Sequence, residues 1–173
     1  MGDSDKPELA YSFVDHARYL DGFLRALELR NITFVVHDWG SALGFDWTRQ
    51  HPEAVRALAF MEAIIAPVPS WDVFPAVARE RFQAMRTRDV GETLVLEQNM
   101  FIEQLLPGSV LRGLRPEELA RYRAPYPEPR HRKPLLAWPR QLPIAGEPRE
   151  VIEIVEAYRE FLCRSRPRPC PRA

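Results

Sequence analysis

The residues in this chain whose types and spacing suit chemistry lie in "FVVHDWGSALGF", Phe34 to Phe45, where an apolar run rich in β-branched residues meets Asp38, Trp39 and then a Gly- and Ala-containing stretch. A sharp turn from strand to helix exposes one side chain above a sheet and next to a helix N-terminus, which is the geometry of a nucleophile elbow. The partial positive charge of that terminus keeps a carboxylate ionised, as a nucleophile must be at neutral pH. Asp at a helix start also has a plainer use, capping the first free N–H groups. Trp39 divides in the same way. Its ring N–H is a donor with no acceptor role, placed at the carboxyl end of a strand where α/β sheets bind ligands, yet indoles are more often core. Glu62, closing "VRALAFME", is a second strand-end carboxylate, and its plainer reading is a solvated surface acid.

These acids need elements to hold them. After a turn-like "MGDSDKP", Ser12 and Asp15 form a capping box that starts a helix, and Phe13, Ala17, Leu20, Leu24 and Leu27 recur at helical spacing. "NITFVVH" is apolar on both faces, as in a buried parallel strand. Gly40, Ala42 and Gly44 open the next helix, with Gly40 the residue expected to let helix and strand pack closely. "VRALAFME" reads as another strand. Helix, strand, turn, helix, strand is the rhythm of a doubly wound α/β sheet, of which two strands are only a fragment.

From Ala63 the texture changes. Prolines at 67, 69 and 75 interrupt the rhythm, helical spacing runs through Val77–Met85 and Leu94–Leu106, and Pro116 suits the first turn of a short helix. "YPEPRHRKPLLAWPRQLP" reads as a Pro-rich connector, and no strand signal lies between Ile65 and Pro143. The block is therefore expected to be a helical cap. "EVIEIVEAYREFL" returns to an amphipathic helix, and "RSRPRPCPRA" is a tail that neither buries apolar surface nor pairs in a sheet. The expected organisation is an α/β core fragment over 1–62, a cap over 63–145, a returning core helix over 146–163 and a disordered tail over 164–173.

Composition bounds the partners. Lys and Arg number 24 against 24 Asp and Glu, so no charge footprint argues for nucleic acid or an anionic membrane. No apolar run is long enough to span a bilayer and no signal peptide is evident, which makes the cytoplasm the default. Cys163 and Cys170 form neither a CxxC pair nor a Cys/His cluster and are read as bystanders, without a metal site or cofactor.

"HDWG" followed by "ALGFDWTRQHPEAVRALAFME" resembles the haloalkane dehalogenases of the α/β-hydrolase superfamily. "GDSDKP", "ARERFQAMRT" and "LPIAGEP" resemble the same family in the same order, and the likeness runs from Met1 to about Cys163. It implies Asp38 as a nucleophile forming an alkyl ester from a haloalkane, Trp39 as a halide donor, and Glu62 as the acid orienting a histidine base. Phe74, Phe82 and Phe101 fall where the family lines an apolar substrate pocket, although aromatics at helical spacing are as readily core. Water and a small halogenated alkane are the implied partners.

The same resemblance implies parts beyond this sequence. The family's second halide donor, an Asn, belongs to a loop before Met1, and its base histidine comes after the point where the likeness stops and Arg and Pro take over, as after a change of reading frame. His16 and His51 read as surface residues, His131 sits in the connector, and His37 reads as a structural histidine on the opposite side of the strand from the nucleophile. The expectation is a chain truncated at both ends that does not turn over. The elbow also resembles epoxide hydrolases, which use lid tyrosines, here Tyr122 and Tyr126 in an unmatched stretch, and coelenterazine luciferases. A non-catalytic fragment holding a ligand is the reading from another class.

Overall fold

The structure, a computed structural model, describes residues 4–164. Its elements are α1 (Phe13–Ala26), β1 (Ile32–His37), α2 (Trp39–Gln50), β2 (Val55–Met61), α3 (Ala76–Arg86), α4 (Val90–Glu92), α5 (Leu106–Gly108), α6 (Pro116–Arg123), α7 (Lys133–Gln141) and α8 (Arg149–Arg164). No described helix is long and apolar enough to cross a membrane. The expected disordered tail and Cys170 lie outside the described residues, except that Arg164 is the last residue of α8.

The described residues divide into two compact units, one of residues up to 15 with 71–142 and the other of residues 16–70 with those from 143 on. This moves two expected boundaries. Residues 1–15 group with the helical block rather than the core fragment, because the Phe13 N–H donates to Gln141 Oε1 at 3.0 Å and Lys133 Nζ pairs with Glu8. Residues 63–70 group with the strands, because the Val68 N–H donates to the Pro143 carbonyl at 2.8 Å and the Ala145 N–H to the Val68 carbonyl at 2.9 Å. The bend holding those bonds carries Val68 and Ile144 in an isolated parallel bridge.

In the strand-bearing unit, β1 and β2 pair in parallel, in register from Thr33 opposite Ala57 to His37 opposite Met61. Phe34 meets Trp47 of α2 edge-on at 5.6 Å, while Phe45, fully buried, meets Phe60 at 5.3 Å and Tyr158 of α8 at 5.6 Å. Expected burial on both faces of the strands is not what the structure holds. β1 alternates half-buried and exposed: α2 packs on the face that carries Phe34, Val36 and Phe60, whereas Val35, 73% exposed, and Met61, also open, lie on the other face. Asp21 ties α1 to α2: Trp47 Nε1 donates to it at 3.2 Å, His51 Nε2 lies 3.1 Å away and Arg25 2.8 Å away. Burial works to raise the Asp21 carboxyl, but the bonds from Arg25 and Trp47 prevail and hold it below its ordinary value. Along α1, Phe13 and Leu24 are buried, whereas Leu27 at the end of the expected stripe is exposed.

The helical unit is built on Met85, Val95, Met100 and Leu136, with Phe82, Leu94, Leu96, Phe101, Leu105 and Leu135 packed around them. Among described residues 71–142 no strand occurs, and Pro116 opens α6 as its sequence position suggested. The periodicity of Leu94–Leu106 does not yield one helix. Thr93–Glu97 and Phe101–Leu105 are π-helical, and Asn99 between them has φ +53°. The Pro-rich connector is itself largely helical: Pro134 sits in the first turn of α7, and Leu135 and Leu136 give that helix an apolar face that the cluster buries. Gly91 is a steric necessity, because a Cβ there would lie 2.1 Å from the Met85 carbonyl oxygen.

Candidate active site

Asp38 follows directly on the last paired residue of β1 and Glu62 on the last paired residue of β2. His37 stands opposite Met61, so the two carboxylates occupy the next level of the same parallel register, at the carboxyl ends of the strands. Both backbones turn into the left-handed region there, Asp38 at φ +48° and Glu62 at φ +46°. Such a conformation costs a non-glycine residue on the order of 1–3 kcal/mol. Among the described residues eight non-glycine residues adopt positive φ; Asn31 does so just before β1, and Asp38 and Glu62 are the two that do so at the carboxyl ends of the paired strands.

The plainer reading of Asp38 fails on geometry. Asp38 precedes the first residue of α2 with φ +48° and ψ −127°, and its side chain makes no hydrogen bond to the helix terminus. It is exposed, so the carboxylate stands clear of the N–H groups a cap would satisfy. Trp39 begins α2 and is 9% exposed, which sets most of its indole in the interior. Glu62 is exposed and its Oε2 lies 2.9 Å from His37 Nε2. A carboxylate only accepts, so the ring donates from Nε2. His37 therefore has a carboxylate partner beside the elbow, where its strand position had suggested an unrelated structural role.

The close approach of helix to strand falls one turn later than expected. A Cβ on Gly40 would meet nothing within 4 Å, whereas one on Gly44 would lie 3.1 Å from Val36 Cγ1. Gly44, not Gly40, lets α2 settle on β1. The three phenylalanines expected to line a pocket all belong to the helical unit and are half-buried: Phe74 and Phe82 have centroids 5.6 Å apart, and Phe82 and Phe101 pack on the Met85 cluster. Among the described residues no group of His, Cys, Asp and Glu is arranged to hold a metal ion.

Two side chains that the sequence did not single out complete the surroundings of the acids. Ser41, fully buried, donates from both its N–H and its Oγ to the Asp38 carbonyl at 2.9 and 2.5 Å, and its Oγ accepts the Ile64 N–H at 2.9 Å. The Tyr158 hydroxyl donates to the Ile64 carbonyl, and burial, with the Asp46 charge adding to it, drives the Tyr158 hydroxyl well above its ordinary range. Ser41 was legible only as a helix-start serine, and Tyr158 only as one apolar position of an amphipathic helix.

A parallel strand ending in a strained acid, a helix starting at the next residue and a second acid at the end of the neighbouring strand define a class of fold. The chain belongs to the alpha/beta hydrolase fold family, whose model matches residues 1–141. Within that family it is similar to a haloalkane dehalogenase of Sphingobium indicum, 49% identical over an alignment of 172 residues that covers 95% of this chain and 57% of that protein. It is 50% identical to a haloalkane dehalogenase of Mesorhizobium japonicum over 155 residues, 88% of this chain and 50% of the relative. The crystal structure of a haloalkane dehalogenase from Bradyrhizobium elkani superposes with a TM-score of 0.90 at 44% identity, covering 95% of this chain and 57% of the other. The chain thus spans about half the length of the relatives it matches.

Proposed function

We infer that the chain carries the nucleophile side of a haloalkane dehalogenase site. An Asp38 carboxylate oxygen attacks the carbon bearing chlorine, bromine or iodine. The carbon–halogen bond breaks with its electron pair leaving as halide, and an alkyl ester remains on Asp38. Trp39 donates its indole N–H to the departing halide, a fixed donor placed where charge develops, worth on the order of 10²–10³ in rate. Glu62 is the acid that orients an imidazole base for hydrolysis of the ester. The observation that carries this reading is the Asp38 elbow, strained at φ +48° and free of any cap bond.

The ester is expected to persist on this 173-residue chain. His37 is engaged by Glu62 and His51 by Asp21, and neither is placed by any contact on Asp38. Incubation with 1,2-dibromoethane should release at most one bromide per chain, and Asp38→Asn should release none. Bromide release continuing over many turnovers would contradict the stalled ester, and release unaffected by Asp38→Asn would contradict the nucleophile. The epoxide hydrolase alternative has less support, because Tyr122 lies exposed on α6.

A further inference from the structure

We propose that Ser41 is a positioning residue that fastens the turn after Glu62 to the Asp38 elbow. This rests on the reading of Asp38 as nucleophile and Glu62 as its partner acid. The hydroxyl works in both directions: its proton goes to the Asp38 carbonyl at 2.5 Å, and one of its two lone pairs takes the Ile64 N–H at 2.9 Å. Ser41 is fully buried, so water does not replace either bond. The two ends of this bridge are the peptide carbonyl of the elbow residue itself and an amide two residues past Glu62. Between them, each acid sits at positive φ, in a conformation that persists only where surrounding contacts over-determine it. Ser41 supplies that determination for both acids at once, whereas the β1–β2 ladder ends at His37 and Met61, one residue short of each.

A serine in the first turn of a helix ordinarily bonds locally, to its own helix terminus or the carbonyl three or four residues back. The bond to Asp38 is of that kind, but the bond from Ile64 spans 23 residues and joins two strand ends. Tyr158 holds the other side of the same peptide segment by donating to the Ile64 carbonyl, so without Ser41 the segment keeps a tether but loses its register with the elbow. Misplacement of reacting groups by about 1 Å costs up to about 10²-fold in rate.

The test compares the 173-residue chain with Ser41→Ala and Ser41→Thr by two readouts. The first is hydrogen exchange at the Ile64 amide, which is independent of any haloalkane. The second is the rate at which 1,2-dibromoethane alkylates Asp38, measured against concentration. Ser41→Ala should speed Ile64 exchange roughly tenfold or more while the β1–β2 ladder amides keep their protection. It should also slow alkylation at saturation roughly tenfold with little change in the half-saturating concentration, and Ser41→Thr, which keeps the hydroxyl, should recover most of both. Unchanged Ile64 exchange in Ser41→Ala would overturn the bridge, and faster exchange with unchanged alkylation would overturn the positioning role. Loss of protection throughout Ser41→Ala, with Ser41→Thr equal to wild type, would reduce Ser41 to a folding residue and also overturn it. Absence of any adduct on the wild-type chain would instead refute the dehalogenase reading, with the Ile64 exchange still deciding the bridge.

Discussion

At the scale of single residues, the two glycines of "WGSALG" separate steric need from helix propensity. Gly40 meets open space where a Cβ would go, so Gly40→Ala should stabilise the chain by up to about 1 kcal/mol through helix propensity alone. Gly44→Ala should gain less or lose stability, because its Cβ would press on Val36 Cγ1 at 3.1 Å. Urea denaturation of the two variants reads the difference, and a larger loss from Gly40→Ala would contradict the placement of the close approach. Strand-to-helix punctuation and strand ends are local features, so the sequence placed Asp38, Trp39 and Glu62 at strand ends, whereas the roles expected of Trp39 and Glu62 came from the family resemblance. Which glycine touches the strand, and that Ser41 reaches Ile64, depend on how α2 rotates over the sheet, and no local pattern records that rotation.

At the scale of elements, the helical unit shows where periodicity misleads. Leu94 to Leu106 keep helical spacing, yet Asn99 at φ +53° divides two π-helical stretches, and the i to i+5 bond from Gln98 N–H to the Thr93 carbonyl at 3.0 Å replaces the ordinary ladder. Arg132 caps the first of them, donating from Nη1 to the carbonyls of Leu96 and Glu97 at 2.6 and 3.2 Å. Its place in a Pro- and Arg-rich run gave no hint of this. Gly91→Ala should be severely destabilising, on the order of 1–3 kcal/mol or more, because the added Cβ meets backbone rather than a side chain able to move. Thermal denaturation checks this, and a near-neutral result would mean that α4 shifts freely against Met85. Acid should weaken the same unit. The guanidinium of Arg140, hydrogen-bonded to Glu92 at 2.7 and 2.9 Å, holds that carboxyl down to about 2 from the ordinary 4.5. A depressed folded-state value stabilises fully above the unfolded value, so this contribution should fade as pH falls from about 4.5 to about 2. Urea midpoints across that window should fall less steeply in Glu92→Gln than in the wild type, and equal slopes would show that the pair contributes nothing.

At the scale of the whole molecule, the two-stranded parallel sheet leaves Val35 73% exposed and Met61 open on one face, and an open apolar sheet face favours association. Val35→Lys should lower concentration-dependent association in light scattering while leaving the Asp38 elbow intact, and undiminished association would place the sticky surface elsewhere. A doubly wound α/β sheet was readable from the order of helix, strand, turn, helix and strand, and the α/β-hydrolase class from the resemblance carried by "HDWG" and the stretch after it. The expectation that both strand faces are buried was not met, because the apolar pattern of β1 reports what the strand is built to face rather than what the described residues supply. The central claim is that Asp38 is a nucleophile toward haloalkanes, and it is tested most directly by peptide mass spectrometry of the chain after incubation with 1,2-dibromoethane. The account predicts a single bromoethyl group on the peptide containing Asp38, fragmenting to that residue, and none on Asp38→Asn. An unmodified Asp38 peptide, or the group found on Glu62 or Cys163 instead, would contradict it.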